Sequence, residues 1–328
     1  MDEQGVTMRY LLLFLTFALI SACEGERAPT DAQPDAADAV SLPAINTGDL
    51  PGFFDCVRDS GGVLIASHRA GPAPGYPENA LETLQYGYAQ GIRIFEIDIA
   101  TSRDGVLFLM HDRSLGRTTT TGGAVANTDW NDIARSRLVD NDGKITSFHP
   151  PKLTDVLLWA KDTGAILEID KKETTGWRSV ISAVRAADAG NNVLLITYNH
   201  KDAGLVQRLA PNMMLTAGAR GGRDLAKLEA LGVNSEMVVA WTGTRSPDKG
   251  AWQRNAREGV ESAFGTLGRK SERLDTEYWA DGDPSEYRKM IRDGLVMLAT
   301  DEPYRLADAI VEDDRALNAC GGQAGILD

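Results

Sequence analysis

The sequence predicts an α/β fold, a TIM (β/α)8 barrel carrying a β-hairpin arm and a small insertion after the second strand. Three observations point to it. Short apolar runs alternate with amphipathic segments along most of the 328 residues, the pattern of a parallel sheet covered by helices. The length accommodates one barrel of about 250 residues together with appended segments. No glycine-rich phosphate loop follows the first apolar run, which argues against an open, doubly wound sheet.

The elements follow in order. Residues 1–22 read as a lipoprotein signal peptide. Arg9 supplies the positive charge, and an apolar run from Leu11 to Ala22 is too short to span a membrane comfortably. The run ends in Ile20-Ser21-Ala22-Cys23, a lipobox-like sequence that places cleavage before Cys23 and lipid on its sulfur. Acids precede Arg9, so Met8 is an alternative start. Residues 23–47, rich in Ala, Asp and Pro without periodicity, read as a flexible tether. Residues 48–328 form the barrel domain.

Strands are expected at Val63–Ser67, Ile92–Ala100, Val106–His111, Ala165–Lys171, Asn192–Tyr198, Met213–Ala219, Met237–Trp241, Ser262–Leu267 and Leu295–Thr300. Helical periodicity lies between them, as in Pro77–Gln90, Leu153–Asp162, Trp177–Ala189 and Pro284–Asp293. These strand candidates exceed a barrel's eight by one. Only TSRDG separates Ala100 from Val106, and a parallel crossover needs a dozen or more residues, so these two runs pair as an antiparallel hairpin. With the turn centred on Arg103-Asp104, paired residue numbers sum to about 207–208, which puts His111 across from residue 96 or 97. From about 113 to 151 the strand-helix alternation lapses, and this long polar segment reads as an insertion at the barrel mouth.

The net charge of −13 and pI near 4.8 exclude a general nucleic-acid binder, since an acidic surface repels phosphate backbones. A local basic pocket for one phosphate stays compatible with that balance. Cys56 and Cys320 stand near the two ends of the mature domain. An exported, oxidising compartment permits a disulfide, and the termini of a barrel lie close together.

Barrel active sites sit at the carboxyl ends of the strands, and there the polar residues collect. Ser67-His68-Arg69 closes the first strand. Glu96 and Asp98 share one face of the second, and the hairpin arm ends in His111-Asp112. Glu168, Asp170 and Lys172 share a face of the next barrel strand. Buried carboxylates that converge cost several kcal/mol unless a cation compensates. Hard oxygen donors suit one divalent cation, Mg2+ or Ca2+, and no His/Cys cluster has zinc spacing. With Arg69 and Lys172 nearby, such an ion makes a phosphate site, which two histidines can serve as general base and general acid.

His68-Arg69, Pro77-Glu78-Asn79, Glu96-Ile97-Asp98, Asp104-Gly105, His111-Asp112 and Thr300-Asp301-Glu302-Pro303 resemble, in order and spacing, the motifs of the glycerophosphodiester phosphodiesterase family. The resemblance runs from about Gly61 to Leu306. It implies a metal-dependent phosphodiesterase barrel in which Glu96 and Asp98 bind the metal, His68 and His111 are the acid/base pair and Arg69 contacts the phosphate. The family pattern of an acid, one residue, then lysine makes Asp170 the third ligand, with Lys172 as the phosphate-binding or orienting cation. Glu168 then faces deeper into the barrel, where pairing with Lys172 is expected. Two positions depart from the family. Ala70 stands where glycine usually follows His-Arg, leaving Gly71 to absorb the turn, and Phe264-Gly265-Thr266-Leu267-Gly268 replaces a Trp-Thr-Val-Asn-like run. His200 is a candidate pocket residue, and His149 reads as structural within the insertion.

The resemblance implies hydrolysis of glycerophosphodiesters to glycerol 3-phosphate and an alcohol. Alternatives are a phospholipase D-like enzyme acting on lysophospholipid or sphingomyelin, favoured by an exposed apolar rim at the mouth, and a non-catalytic phosphodiester-binding surface lipoprotein, which has no need of paired histidines. The expected partners are a small-molecule phosphodiester and, through a lipid on Cys23, the membrane, with no protein partner implied. Glu24 after Cys23 lacks the aspartate of inner-membrane retention, so the periplasmic side of the outer membrane is the expected location.

Overall fold

A computed structural model of the chain describes residue 45 and residues 47–321. The expected signal peptide, the expected lipidation site at Cys23 and most of the expected tether lie outside the described residues. Strands Leu64–Ser67 (β1), Ile94–Thr101 (β2), Leu107–Leu109 (β3), Ile166–Lys171 (β4), Val193–Ile196 (β5), Met214–Gly218 (β6), Val238–Trp241 (β7), Glu261–Gly265 (β8) and Met297–Thr300 (β9) match the expected runs to within a few residues. They follow the order β1-β9-β8-β7-β6-β5-β4-β2-β3, and pairing of β1 with β2 closes the ring. Every pair in the ring is parallel, and only β3 runs antiparallel, on β2. This is the eight-stranded parallel barrel with a hairpin arm. The hairpin register pairs Ile99 with Leu109, Ala100 with Phe108 and Thr101 with Leu107, a sum of 208 in each case.

Alternation along the strands divides the apolar residues into two layers. Ile65, Ile97, Ile99, Leu167, Ile169 and Leu195 face outward and pack under the helices. Helix Trp177–Ala186 shows why these segments fold as they do, since it buries Trp177, Val180, Ile181 and Val184 along one stripe. Leu64, Ala66, Ile94, Ile166, Leu194, Met214 and Met297 face inward. Phe53, Phe54 and Val57 join that inner cluster from helix Leu50–Ser60 and seal the end of the barrel where the strands begin. The helix starts with Asp49 accepting from Gly52 N and with Pro51 in its first turn, both favourable N-terminal chemistry.

Cys56 in this helix is disulfide-bonded to Cys320 in helix Glu312–Cys320, across a sequence separation of 264. Loop-closure entropy alone assigns such a bond about 5 kcal/mol. Reduction should therefore lower the denaturant midpoint markedly without changing the folded spectrum, which paired denaturation curves with and without reductant will check.

The helix expected from Pro77 begins at Leu81. Asn79 has φ 57°, a left-handed conformation that stops helix propagation, and residues 77–80 are committed to the site instead. The insertion holds a short helix at Trp130–Arg135. It has its own small core of Leu115, Val125 and Ile133 against Ala100, Phe108 and Met110.

Candidate active site

The pairing of β2 with β4 sets Glu96 opposite Glu168 and Asp98 opposite Asp170. Two rungs of acid therefore stand inside the barrel above the Ile94–Ile166 rung. All four acids line a pocket of about 350 Å³ that also holds His68, His111 and Lys172. Oxygens of Glu96, Asp98 and Asp170 all lie within 4.8 Å of one another, and all three residues are buried.

Each carboxylate is held by a named group. Arg69 N–H donates to Glu96 Oε2 at 2.7 Å. Asn79 Nδ2 donates to Asp98 Oδ2 at 2.7 Å and Asn79 Oδ1 accepts from Asp98 N at 2.9 Å. Tyr198 Oη donates to Asp170 Oδ2 at 2.6 Å. Lys172 Nζ lies 2.5 Å from Asp98 Oδ1 and 2.6 Å from Asp170 Oδ2. One ammonium does not balance three carboxylates. Burial, with the charges of Asp98 and Asp170, drives the Glu96 carboxyl well above its ordinary range. Burial acts on Asp98 too, but Lys172 and His111 outweigh it and hold that carboxyl low. Asp170 Oδ1 is buried and accepts no hydrogen bond. Crowded hard oxygens, one of them unsatisfied, form a donor set that fits Mg2+ or Ca2+.

Glu168 does sit one layer deeper, but the expected pairing with Lys172 does not form, because the ammonium reaches up to Asp98 and Asp170. Burial and the charge of Asp170 push the Glu168 carboxyl to about 8, so it is protonated at neutral pH.

Both histidines are oriented by an aspartate at Nδ1. His68 Nδ1 lies 2.7 Å from Asp301 Oδ1 and His111 Nδ1 lies 2.8 Å from Asp112 Oδ1. Burial works to raise Asp301, but His68, Gly268 N–H and Arg273 hold it at about 2. Asp112 is held still lower, chiefly by hydrogen bonds from Arg117. Arg69 Nη2 is 2.8 Å from His111 Nε2. A guanidinium only donates, so Nε2 accepts and Nδ1 carries the hydrogen.

The turn after β1 is left-handed at three successive residues, Arg69, Ala70 and Gly71, with φ 51°, 71° and 77°. Gly71 does not absorb the turn alone: Arg69, whose N–H meets Glu96, and Ala70 are both left-handed before it. A Cβ in that region costs about 1 kcal/mol or more, so Ala70→Gly should raise stability by about 1 kcal/mol, read from equilibrium denaturation.

The opposite wall is apolar and aromatic: Ile196, Trp241, Leu267 and Ala299 line it, and the Tyr198 ring is exposed at the mouth. Gly265 makes this wall possible, because a Cβ there would stand 2.9 Å from Trp241 Cη2 and 3.1 Å from Thr244 Cγ2. His200 is not a pocket residue: it begins helix His200–Leu209 and its Nε2 lies 2.8 Å from Gly218 O. His149 Nδ1 lies 2.6 Å from Ser136 O, a structural contact within the insertion. Sequence reasoning assigned no role to Asn79, Glu78, Arg117, Tyr198 or Asp301. Tyr198 had a signal in its place at the end of a strand. Asp301 becomes a partner of His68 only when the ring closes across 233 residues.

Known proteins resemble the chain in sequence and in fold. Residues 68–214 match the model of the glycerophosphoryl diester phosphodiesterase family. The chain is 28% identical over 188 residues to a protein of Mycobacterium tuberculosis described as probable glycerophosphodiester phosphodiesterase 2, covering 57% of this chain and 67% of that one. It is also 28% identical over 184 residues to the uncharacterised Bacillus subtilis protein YqiK, covering 53% and 75%. A crystal structure of a glycerophosphoryl diester phosphodiesterase from Parabacteroides distasonis superposes with TM-score 0.69 at 26% identity, over 82% of this chain and 93% of that one. An Oleispira antarctica phosphodiesterase, solved in complex with the product sn-glycerol-3-phosphate, shares the fold with TM-score 0.56 at 20% identity, over 77% and 98%. Motif order, barrel topology and these likenesses converge: residues 68–214 carry the match to the glycerophosphoryl diester phosphodiesterase family, and the chain is an enzyme, a phosphoric diester hydrolase.

Proposed function

We propose that this enzyme hydrolyses glycerophosphodiesters to glycerol 3-phosphate and an alcohol, with one divalent cation held by Glu96, Asp98 and Asp170 and with His68 and His111 as its acid/base pair. The observation that carries the reading is the convergence of two aspartate-oriented histidines on one pocket with a three-carboxylate cluster. The cation, when bound, offsets charge on the nonbridging phosphoryl oxygens.

The chain's own residues do the rest. Arg69 and Lys172 supply positive charge to the phosphate. With Nδ1–H held by Asp301, His68 has its Nε2 free to take a proton from the attacking oxygen, and Asp301 stabilises the imidazolium that forms. A phosphate that draws Arg69 Nη2 away from His111 leaves Nε2 open to take up a proton from solvent, and the imidazolium, with Nδ1–H held by Asp112, gives that proton to the leaving alkoxide. The attacker is water or a glycerol hydroxyl.

Turnover of glycerophosphocholine, lysophosphatidylcholine and sphingomyelin, each with Mg2+, Ca2+ and EDTA, tests the reading. A preference for glycerophosphocholine supports it, and absence of turnover on every substrate with either metal sinks it in favour of a binding protein. The apolar wall of Trp241, Leu267 and Ile196 favours a second reading, a lysophospholipid substrate, which the same assay separates.

We also propose export and lipid anchoring at Cys23, on the periplasmic side of the outer membrane. This rests on the lipobox-like Ile20-Ser21-Ala22-Cys23. Among the described residues no helix is long and apolar enough to cross a membrane.

A further inference from the structure

A closed ring of charged groups borders the pocket on the hairpin side. Arg69 Nη2 donates to His111 Nε2 at 2.8 Å, and His111 Nδ1–H donates to Asp112 Oδ1 at 2.8 Å. Arg117 donates to Asp112 through Nε at 2.5 Å and Nη2 at 3.0 Å. The same guanidinium donates to Glu78, through Nη1 to Oε2 at 2.9 Å and Nη2 to Oε1 at 2.7 Å. Glu78 accepts in turn from Arg69 Nη1, at 3.3 and 3.1 Å, and the ring is complete. Arg117 is its sole member from the insertion, and it does not line the pocket.

We propose that Arg117 is a positioning residue for His111, acting through Asp112 and, through Glu78, on Arg69. Asp112 follows His111 directly in sequence and is partly exposed, so left alone its carboxylate can rotate away from the ring. A guanidinium fork bound to both carboxylate oxygens fixes the plane of the carboxylate. It also keeps Asp112 ionised and acceptor-only, which obliges His111 to present its hydrogen at Nδ1 and its lone pair at Nε2. Glu78 is 5% exposed and takes charge from both arginines. Without Arg117 it would claim Arg69 alone and pull that side chain off the line to Nε2. The insertion is thereby wired to the catalytic centre through one side chain, with no contact to the substrate.

The inference rests on the acid/base reading of His111, and its test separates the two. The kinetic arm is a double-mutant cycle with Arg117→Ala, His111→Ala and the pair, in the full chain with glycerophosphocholine and saturating divalent cation. Arg117→Ala should lower kcat by roughly 10- to 100-fold, the range for groups that orient a functional side chain, with KM changed by less than about two-fold. In the His111→Ala background the same change should cost less than about two-fold. Arg117→Lys, which keeps the charge and loses the fork, should recover part of the loss, as should guanidinium ion added to Arg117→Ala. Equal losses in both backgrounds, or wild-type kcat in Arg117→Ala, would overturn the proposal.

The second arm does not use activity. The downfield Nδ1–H proton of His111 in the NMR spectrum should weaken or vanish in Arg117→Ala and return in part in Arg117→Lys. An unchanged resonance overturns the wiring. A wild-type rate in His111→Ala overturns the acid/base reading and leaves the NMR result to judge the wiring by itself. If Arg117→Ala does not fold, the lysine variant carries both arms.

Discussion

Replacing His111 by alanine should lower kcat by about 10²- to 10⁴-fold while leaving substrate affinity and the folded spectrum near those of the wild type. The ring lies in the pocket and is fixed by Asp112 and Arg69, so its removal subtracts proton transfer more than packing. The leaving group reveals which step is lost. From a p-nitrophenyl ester of glycerol phosphate the P–O bond breaks to release p-nitrophenolate without protonation, so if His111 is the acid the deficit of His111→Ala should nearly disappear on that substrate. His68→Ala should keep its full deficit relative to wild type on the activated ester, because the attacking oxygen still needs a base. The opposite pattern would exchange the two roles, and wild-type turnover by His111→Ala would remove the histidine pair from the chemistry.

Removal of divalent metal should abolish turnover, and return of Mg2+ or Ca2+ should restore it. Three buried carboxylates face one ammonium, and Asp170 Oδ1 has no hydrogen-bond partner. Ionising all three carboxylates together, Glu96 included, calls for an added cation. Binding should also stabilise the fold by mass action, by about 2.7 kcal/mol at a metal concentration one hundred times Kd, so the melting temperature of the EDTA-treated protein should climb as metal is titrated in. Asp170→Asn should weaken both responses together. Full activity in EDTA with no thermal response to either metal would end the metal assignment.

The barrel and the heart of this site were legible because both depend on local periodicity. Alternation put Glu96 with Asp98, and Glu168 with Asp170, on the inner faces of their strands. The shortness of TSRDG fixed the hairpin register. The supporting shell was not legible, because closure of the ring makes it. Asp301 meets His68 across the β1–β9 seam, and Arg117 returns from the insertion to reach Glu78. Backbone handedness was half visible: the missing glycine at position 70 raised the question, and the structure keeps the left-handed turn there with alanine in place. The wall opposite the acids escaped notice because it is an exchange between strands. Gly265 gives up a side chain on β8, and Trp241 from β7 leans into the space.

The helix that plugs the barrel decides from which side the pocket is reached. Residues 50–60 cover the end where the strands begin, and the disulfide fastens this helix to the last one. The end where the strands begin is therefore blind, and whatever reaches the acids and the histidines comes in at the opposite rim. The plug and the mouth thus share no surface, so a change in the helix alters stability while leaving the approach of the diester untouched.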